Sequence, residues 1–317
     1  MFHDTLVPFA ERQKIIMKKV LVTGGTVFVS KYVAKYYVEK GYDVFVLNRN
    51  NREQIKGITL IEADRHCIDD KLREHHFDVI FDMTAYTEED INGLLDGLGS
   101  FDQYIMVSSS AVYPEYAPQP FGEDTILAEN KYWGMYGTNK IKAEEALLKR
   151  VPNAYILRPP YLYGPMNNVY REALVFDCAM NDRVFYQPKE GKLRLQFFYI
   201  DDLCRFMDII VEKKPDVHIF NVGNKDSITV NEWVKLCYNV AGKEAEFVNV
   251  MEDIEQRSYF CFTDYEYYLD VTEQEKLMPN TKSIEEGMKE AYMWYVENGA
   301  DVNKRGYIEY IDENFGK

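Results

Sequence analysis

No apolar run in this chain approaches the roughly 20 residues that a membrane-spanning helix requires, and the stretch around Val44–Leu47 is typical of the longest present. That excludes a helical membrane anchor as the basis of function. Cysteine is scarce as well. Cys67, Cys178, Cys204, Cys237 and Cys261 are scattered, odd in number and free of C-x-x-C spacing. The pattern argues against a disulfide framework or a zinc site and predicts a reducing, cytoplasmic setting. Dense Lys/Arg runs are missing, and the formal net charge is −15 with a pI near 4.9. Such a surface repels phosphate backbones, which disfavours nucleic acid as a partner. Metal ligation has no support either. His75-His76 sits in a polar, helix-like stretch that reads as a solvated face, and Asp201-Asp202 has no third ligand in view.

What remains is an ordinary globular composition, 46% hydrophobic and 28% charged over 317 residues. That length suits one large α/β unit or two closely joined lobes. Met17-Lys18-Lys19-Val20 reads as a natural start directly before a strand, so residues 1–16 are set aside as an N-terminal extension. From there strands and helices alternate. Val20–Thr23, Val44–Leu47, Ile58–Ile61, Val79–Met83, Tyr104–Val107 and Ala154–Leu157 read as strands, with helices through Val29–Lys40, Glu88–Leu98 and Asn139–Lys149. Regular alternation of this kind predicts a Rossmann-type, doubly wound parallel sheet of the α/β class. The second half is less regular and rich in aromatics, as in Tyr259–Phe262 and Tyr265–Tyr268. It reads as a smaller C-terminal substrate lobe interleaved with the last strands. The expected division is 17–165 for the dinucleotide-binding domain, which also takes in segments near 197–223, and 166–196 with 224–317 for the lobe.

The turn after the first strand carries the first functional signal. Gly24, Gly25, Thr26, Val27, Phe28 and Val29 lead into a helix, where backbone N–H groups and the helix dipole favour a pyrophosphate. Val27 and Ser30 stand where a full glycine fingerprint would have glycine, so the turn alone is weak evidence. After the second strand, Asn48-Arg49 occupies the place of the usual ribose-binding acid. Arg49 suits a 2′-phosphate, which leans the cofactor from NAD towards NADP. Asp64-Arg65 falls where the adenine edge is expected.

The second signal is Tyr136-Gly137-Thr138-Asn139-Lys140, which places a phenol and an ammonium on one helix face. A nearby cation lowers a phenol's pKa, so Tyr136 can exchange a proton with a substrate hydroxyl or carbonyl. Ser109, at the carboxyl end of the fifth strand, is placed to orient the same oxygen. With 25 tyrosines, the spacing also occurs by chance, and Tyr36 with Lys40 is such a match.

These segments occur in the order typical of one family. Thr23–Thr26, Val107–Tyr113, Tyr136–Lys140, Leu157–Pro165, Phe198–Leu203 and Phe220–Gly223 together resemble an extended short-chain dehydrogenase/reductase of the NAD-dependent epimerase/dehydratase family, over residues 17–297. The resemblance implies Tyr136 as general acid/base, Lys140 as its pKa-lowering, ribose-binding partner and Ser109 as the third catalytic residue. It implies cofactor contacts at Thr84 and Ala85, substrate contacts at Ser110, Tyr161 and Arg194, and a small-molecule substrate, a nucleoside-diphosphate sugar. A homodimer formed through two helices is expected. The Asp-Asp pair at 201–202 is expected as a strand-to-helix corner with a capping carboxylate. Of the family's reactions, 4-epimerisation and keto-reduction are favoured; dehydration is not, because Ser110-Ala111 replaces its Asp-Glu pair.

Tyr161 replaces a sugar-holding asparagine, and Leu195 replaces an arginine. Asn48-Arg49, Asp64-Arg65, Asp82–Tyr86 and Gln196-Phe197 are similar to an atypical branch that includes the chloroplast stem-loop-binding proteins. The alternative reading is therefore a non-catalytic RNA-binding or cofactor-sensing protein on the same fold.

Overall fold

The computed structural model describes residues 17–316, and the extension expected over 1–16 lies outside them. In chain order come β1 (Lys19–Thr23), α1 (Phe28–Glu39), β2 (Asp43–Asn48), β3 (Thr59–Glu62), β4 (Leu72–Asp82), α2 (Glu88–Gly97), β5 (Leu98–Val107), α3 (Met135–Arg150) and β6 (Tyr155–Arg158). The chain then leaves the sheet through β7 (Tyr161–Tyr163), α4 (Glu172–Met180), β8 (Phe185–Pro188), β9 (Arg194–Leu195) and β10 (Phe197–Tyr199). It returns through α5 (Ile200–Lys213) to β11 (Ile219–Asn221). The rest forms β12 (Ile228–Thr229), α6 (Val230–Val240), β13 (Phe247–Val250), α7 (Thr272–Leu277), α8 (Ile284–Asn298) and α9 (Tyr307–Asn314).

Seven strands pair in parallel in the order β11-β6-β5-β4-β1-β2-β3. Side chains alternate across the pleat and both faces are buried. Val20, Val22, Val44, Val46, Val79 and Phe81 join one core with α1 and α5. Leu21, Phe45, Leu47 and Ile80 join the other with α2 and α3. Helices therefore cover both faces, as a parallel sheet requires. The winding reverses between β1 and β4, and the crevice beyond their carboxyl ends is where ligands of such sheets bind.

The lobe is built from two-stranded pairs, β7 with β10, β8 with β13 and β9 with β12. Aromatic packing joins them. Phe197 stacks on Trp233 with centroids 5.9 Å apart, and Phe262 meets Trp233 edge-on at 5.3 Å. Such short strands bury little by themselves, so large rings supply the area.

Two expectations are corrected. His75 and His76 lie in β4 rather than in a helix, because β4 and β5 start earlier than their apolar ends suggest and pair back to Leu72 and Leu98. There Lys19 Nζ lies 2.9 Å from His75 Nδ1, and the His75 ring stacks on Phe77. The Asp201-Asp202 pair does not cap α5, whose first turn has no side-chain cap. Asp202 instead accepts from the Lys282 backbone N–H at 2.7 Å and from Arg205 at 2.6 Å, fastening α5 to the segment before α8.

Candidate active site

The glycine turn is shaped by contacts on three sides. Gly24 has φ +91°, and a Cβ there would sit 2.8 Å from Ser30 Oγ and 2.9 Å from Thr84 Cγ2. A Cβ on Gly25 would strike Val46 at 2.3 Å. Ser30 Oγ donates to the Val27 carbonyl at 2.9 Å, which ties the start of α1 to the turn. Val27 precedes α1 in extended conformation, and no side chain caps the helix. The first-turn N–H groups of α1 are thus left to an anion, which is the provision a pyrophosphate needs.

Beneath the turn lies a buried knot. Asp82, at the end of β4, accepts from Thr23 Oγ1 at 2.7 Å, Tyr104 Oη at 2.5 Å, and Arg65 at 2.9 and 3.1 Å. Arg65 also reaches Thr84 Oγ1 and the Asp90 carbonyl. The Asp82 carboxyl is held below its ordinary range, because Arg65 and these hydrogen bonds outweigh the cost of burial. Arg65 lines the cleft, yet its guanidinium is committed to the protein. Asn48 is committed too, since its Nδ2 donates to the Gly24 carbonyl at 2.6 Å and braces the turn. Arg49 stays open, 70% exposed, with its closest acid, Asp64, 4.0 Å away. A cleft of about 860 Å³ runs along these residues, from Gly24, Thr26 and Val27 past Arg49, Arg52 and Asp64 to Thr84 and Tyr86.

The second cleft, of about 330 Å³, opens where β5 ends. Val27, Phe28, Val29, Thr84, Ser109, Tyr136 and Lys140 all line it. Ser109 caps a short 3₁₀ turn, its Oγ accepting from the Ala111 N–H at 3.1 Å. Its own O–H remains free to donate. Gly137 brings α3 onto that turn, since a Cβ there would lie 2.3 Å from the Ala111 carbonyl oxygen. This close approach sets Tyr136 beside Ser109. Burial raises the Tyr136 phenol, and a hydrogen bond from Ser109 opposes the rise.

One turn along α3, Lys140 is buried, with Nζ donating to the Ala85 carbonyl at 2.6 Å and the Val107 carbonyl at 3.1 Å. Burial lowers its ammonium to about 8, against the pull of Asp82 and Glu144. Below Lys140, Glu144 pairs with Arg158 at 2.6 Å, both 2% exposed, and Ser108 Oγ donates to the same carboxylate at 2.5 Å. Tyr36 and Lys40, the chance match, instead both bond Asp208 on α5 and lie outside this cleft.

The three expected substrate contacts divide. Ser110 is buried, donating to Tyr267 Oη at 3.1 Å. Tyr161 lines a neighbouring cavity of about 230 Å³. Arg194 is not brought to either; its guanidinium donates to Ser227 Oγ and its carbonyl, bridging β9 and β12. The cation there is Arg171, which lines both this cavity and the Tyr136 cleft, and Arg257 and Arg305 join it. Arg171 lies over the Tyr161 ring at 5.1 Å and Arg257 over Tyr307 at 5.8 Å. Among the described residues no carboxylate lines this cavity. The three arginines come from distant segments, so no local spacing could have announced them.

A doubly wound sheet with a glycine turn at its switch point defines a dinucleotide-binding fold. Comparison with known proteins carries this further. The model of the NAD dependent epimerase/dehydratase family matches residues 20–95 and 94–223, and the chain belongs to that family. It is 26% identical over 301 residues to the chloroplast stem-loop binding protein of 41 kDa b of Arabidopsis thaliana, covering 87% of this chain and 78% of that one. It is 25% identical over 225 residues to the probable GDP-L-fucose synthase 1 of Oryza sativa, covering 65% of this chain and 66% of that one. Among solved structures, it superposes on the Thermotoga maritima UDP-glucose 4-epimerase with UDP-glucose at a TM-score of 0.71 and 21% identity, covering 88% and 99% of the two chains. The UDP-glucuronic acid 4-epimerase of Bacillus cereus, in complex with UDP-glucuronic acid and NAD, gives 0.71 and 19% over the same shares.

Proposed function

We propose that the protein is an NAD(P)-dependent oxidoreductase acting on a nucleoside-diphosphate sugar, as a 4-epimerase or keto-reductase, through Ser109, Tyr136 and Lys140. The observation that carries this reading is the cavity of Arg171, Arg257 and Arg305. Three cations with no carboxylate beside them among the described residues, in a chain of net charge −15, form a site for an anion. Guanidinium groups match the oxygens of a diphosphate, and the rings of Trp133, Tyr161 and Phe262 suit a base or a sugar face. Arg171 and Val169 line this cavity and the Tyr136 cleft alike, so the sugar end of such a ligand would reach the phenol.

In this reading the glycine turn and the α1 N-terminus hold the cofactor's pyrophosphate, and Lys140 faces its nicotinamide ribose. The nicotinamide supplies hydride acceptance or donation when bound. Tyr136 moves the proton at the substrate oxygen, and Ser109 steadies the phenolate through its hydroxyl. The open Arg49 and Arg52 beyond Asn48 favour NADP, whose 2′-phosphate either could meet. The bound cofactor tests the assignment. Tightly retained NAD in native mass spectrometry supports an epimerase, exchangeable NADPH supports a reductase, and no binding of any form sinks it. A homodimer is part of the same proposal, checked by mass photometry. Among the described residues no helix is long and apolar enough to cross a membrane.

A second reading, RNA binding, draws on the likeness to the stem-loop binding protein. The cationic cavity is concave and small, and the net charge opposes it. Gel-shift with structured RNA at physiological salt tests it, and absence of binding removes it.

A further inference from the structure

Lys140 has three N–H donors. Two are spent on the Ala85 and Val107 carbonyls at 2.6 and 3.1 Å. Above Nζ lies the Tyr86 ring, with its centroid 4.8 Å away. An ammonium facing a ring at that distance is held by the ring's quadrupole and shielded from other acceptors. Tyr86 also stands 6.5 Å, centroid to centroid, from Tyr136. It lines both the cleft along the glycine turn and the cleft of Ser109 and Tyr136, so it occupies the passage between them.

The backbone at this point is fixed. The Tyr86 and Thr87 N–H groups donate to Asp90 Oδ2 at 2.8 and 2.9 Å, and Thr87 closes a capping box with Asp90 at the start of α2. Tyr86 as a whole is 49% exposed. Movement of Tyr86 is therefore a side-chain rotation over a pinned main chain.

We infer that Tyr86 is a positioning residue that covers the free N–H of Lys140 and must rotate away before the lysine can hold a ribose hydroxyl of the dinucleotide. The cover is a matter of geometry within the chain. Its consequence for cofactor entry rests on the function proposed above. The ring, not the hydroxyl, provides the cover, so Tyr86→Phe keeps it and Tyr86→Ala removes it.

Two measurements separate the cover from its consequence. The first needs no cofactor. Reductive methylation of the intact protein with formaldehyde and cyanoborohydride, mapped by mass spectrometry, reads the exposure of each lysine. Lys140 should react about ten times faster in Y86A than in the unaltered protein and Y86F, with Lys142 as an internal reference that does not change. Equal Lys140 rates in all three overturn the inference, whatever the cofactor does. In the second, stopped-flow fluorescence follows NADH and NADPH. Faster association in Y86A, by about tenfold, supports a covering ring. Unchanged or slower association in Y86A would instead make the ring a stacking platform and overturn its role in entry. Should no protein bind either nucleotide while methylation still distinguishes Y86A, the cover stands and the proposed function fails.

Discussion

The sheet and the lobe treat charge in opposite ways. Under the sheet's carboxyl end, charges are buried and matched: Arg65 with Asp82, Arg158 with Glu144, Lys140 with two carbonyls. In the lobe, Arg171 and Arg257 meet backbone carbonyls and aromatic rings, and among the described residues no carboxylate shares their cavity. A matched buried pair contributes to holding a shape, and breaking it is costly. The guanidinium groups of that cavity face no carboxylate among the described residues, so their charge stays available to an anionic visitor. On the proposed function, one region carries position and the other carries recognition.

Substitutions can break that contrast. The largest effect is expected at Tyr136. Y136F should lower turnover by about 10³-fold, within the range of lost acid–base catalysis, while leaving circular dichroism and melting unchanged. Activity equal to the unaltered enzyme would remove Tyr136 from the chemistry. Next, E144A strands Arg158 in the interior and should cost about 3–5 kcal/mol in urea unfolding. A loss below 1 kcal/mol would mean that water reaches the pair. R171A and R257A should do the reverse of E144A. Each should weaken binding of UDP- or GDP-sugars by about 1.5–3 kcal/mol, the worth of a hydrogen bond to a charged group, with melting little altered. A large drop in melting for these variants would merge the two regions into one structural role.

The smallest effect is a pH dependence. Lys140 sits at about 8, below the ordinary lysine value of 10.5. Above pH 8 it loses its charge, so affinity for the dinucleotide should fall through that pH and stay flat in K140M, as titration calorimetry would read. The sign for stability is opposite. Between pH 8 and 10.5 the folded chain binds fewer protons than the unfolded one, so this lysine's contribution to stability rises with pH across that window.

The same contrast explains what was legible. Matched strands and the Tyr136–Lys140 pair are periodic, and periodicity is visible in one dimension. The fold class followed from the strand pattern, whereas Val27, Ser109, Tyr136 and Lys140 rested on motif order and the family resemblance, and one cleft unites them. Polar residues at the starts of β4 and β5 hid seven residues of β4 and six of β5, stretches that pair with each other from Leu72 and Leu98 onward. Arg65 drew attention as a ligand contact, but its partner Asp82 lies 17 residues on, across the sheet. The arginine cavity was not visible. Arg171, Arg257 and Arg305 converge only after β7–β10 and the terminal helices fold together.

The charge imbalance noted at the outset has a kinetic consequence. A protein of net charge −15 and a nucleotide sugar repel one another at long range, whereas the arginine cavity attracts only within a Debye length, about 8 Å at physiological salt. Added salt screens the distant repulsion more than the close attraction. Substrate capture should therefore quicken as ionic strength rises from low values, the reverse of an electrostatically steered enzyme. The acidic exterior would then act as a selector of its milieu, admitting ligands best where ions are plentiful.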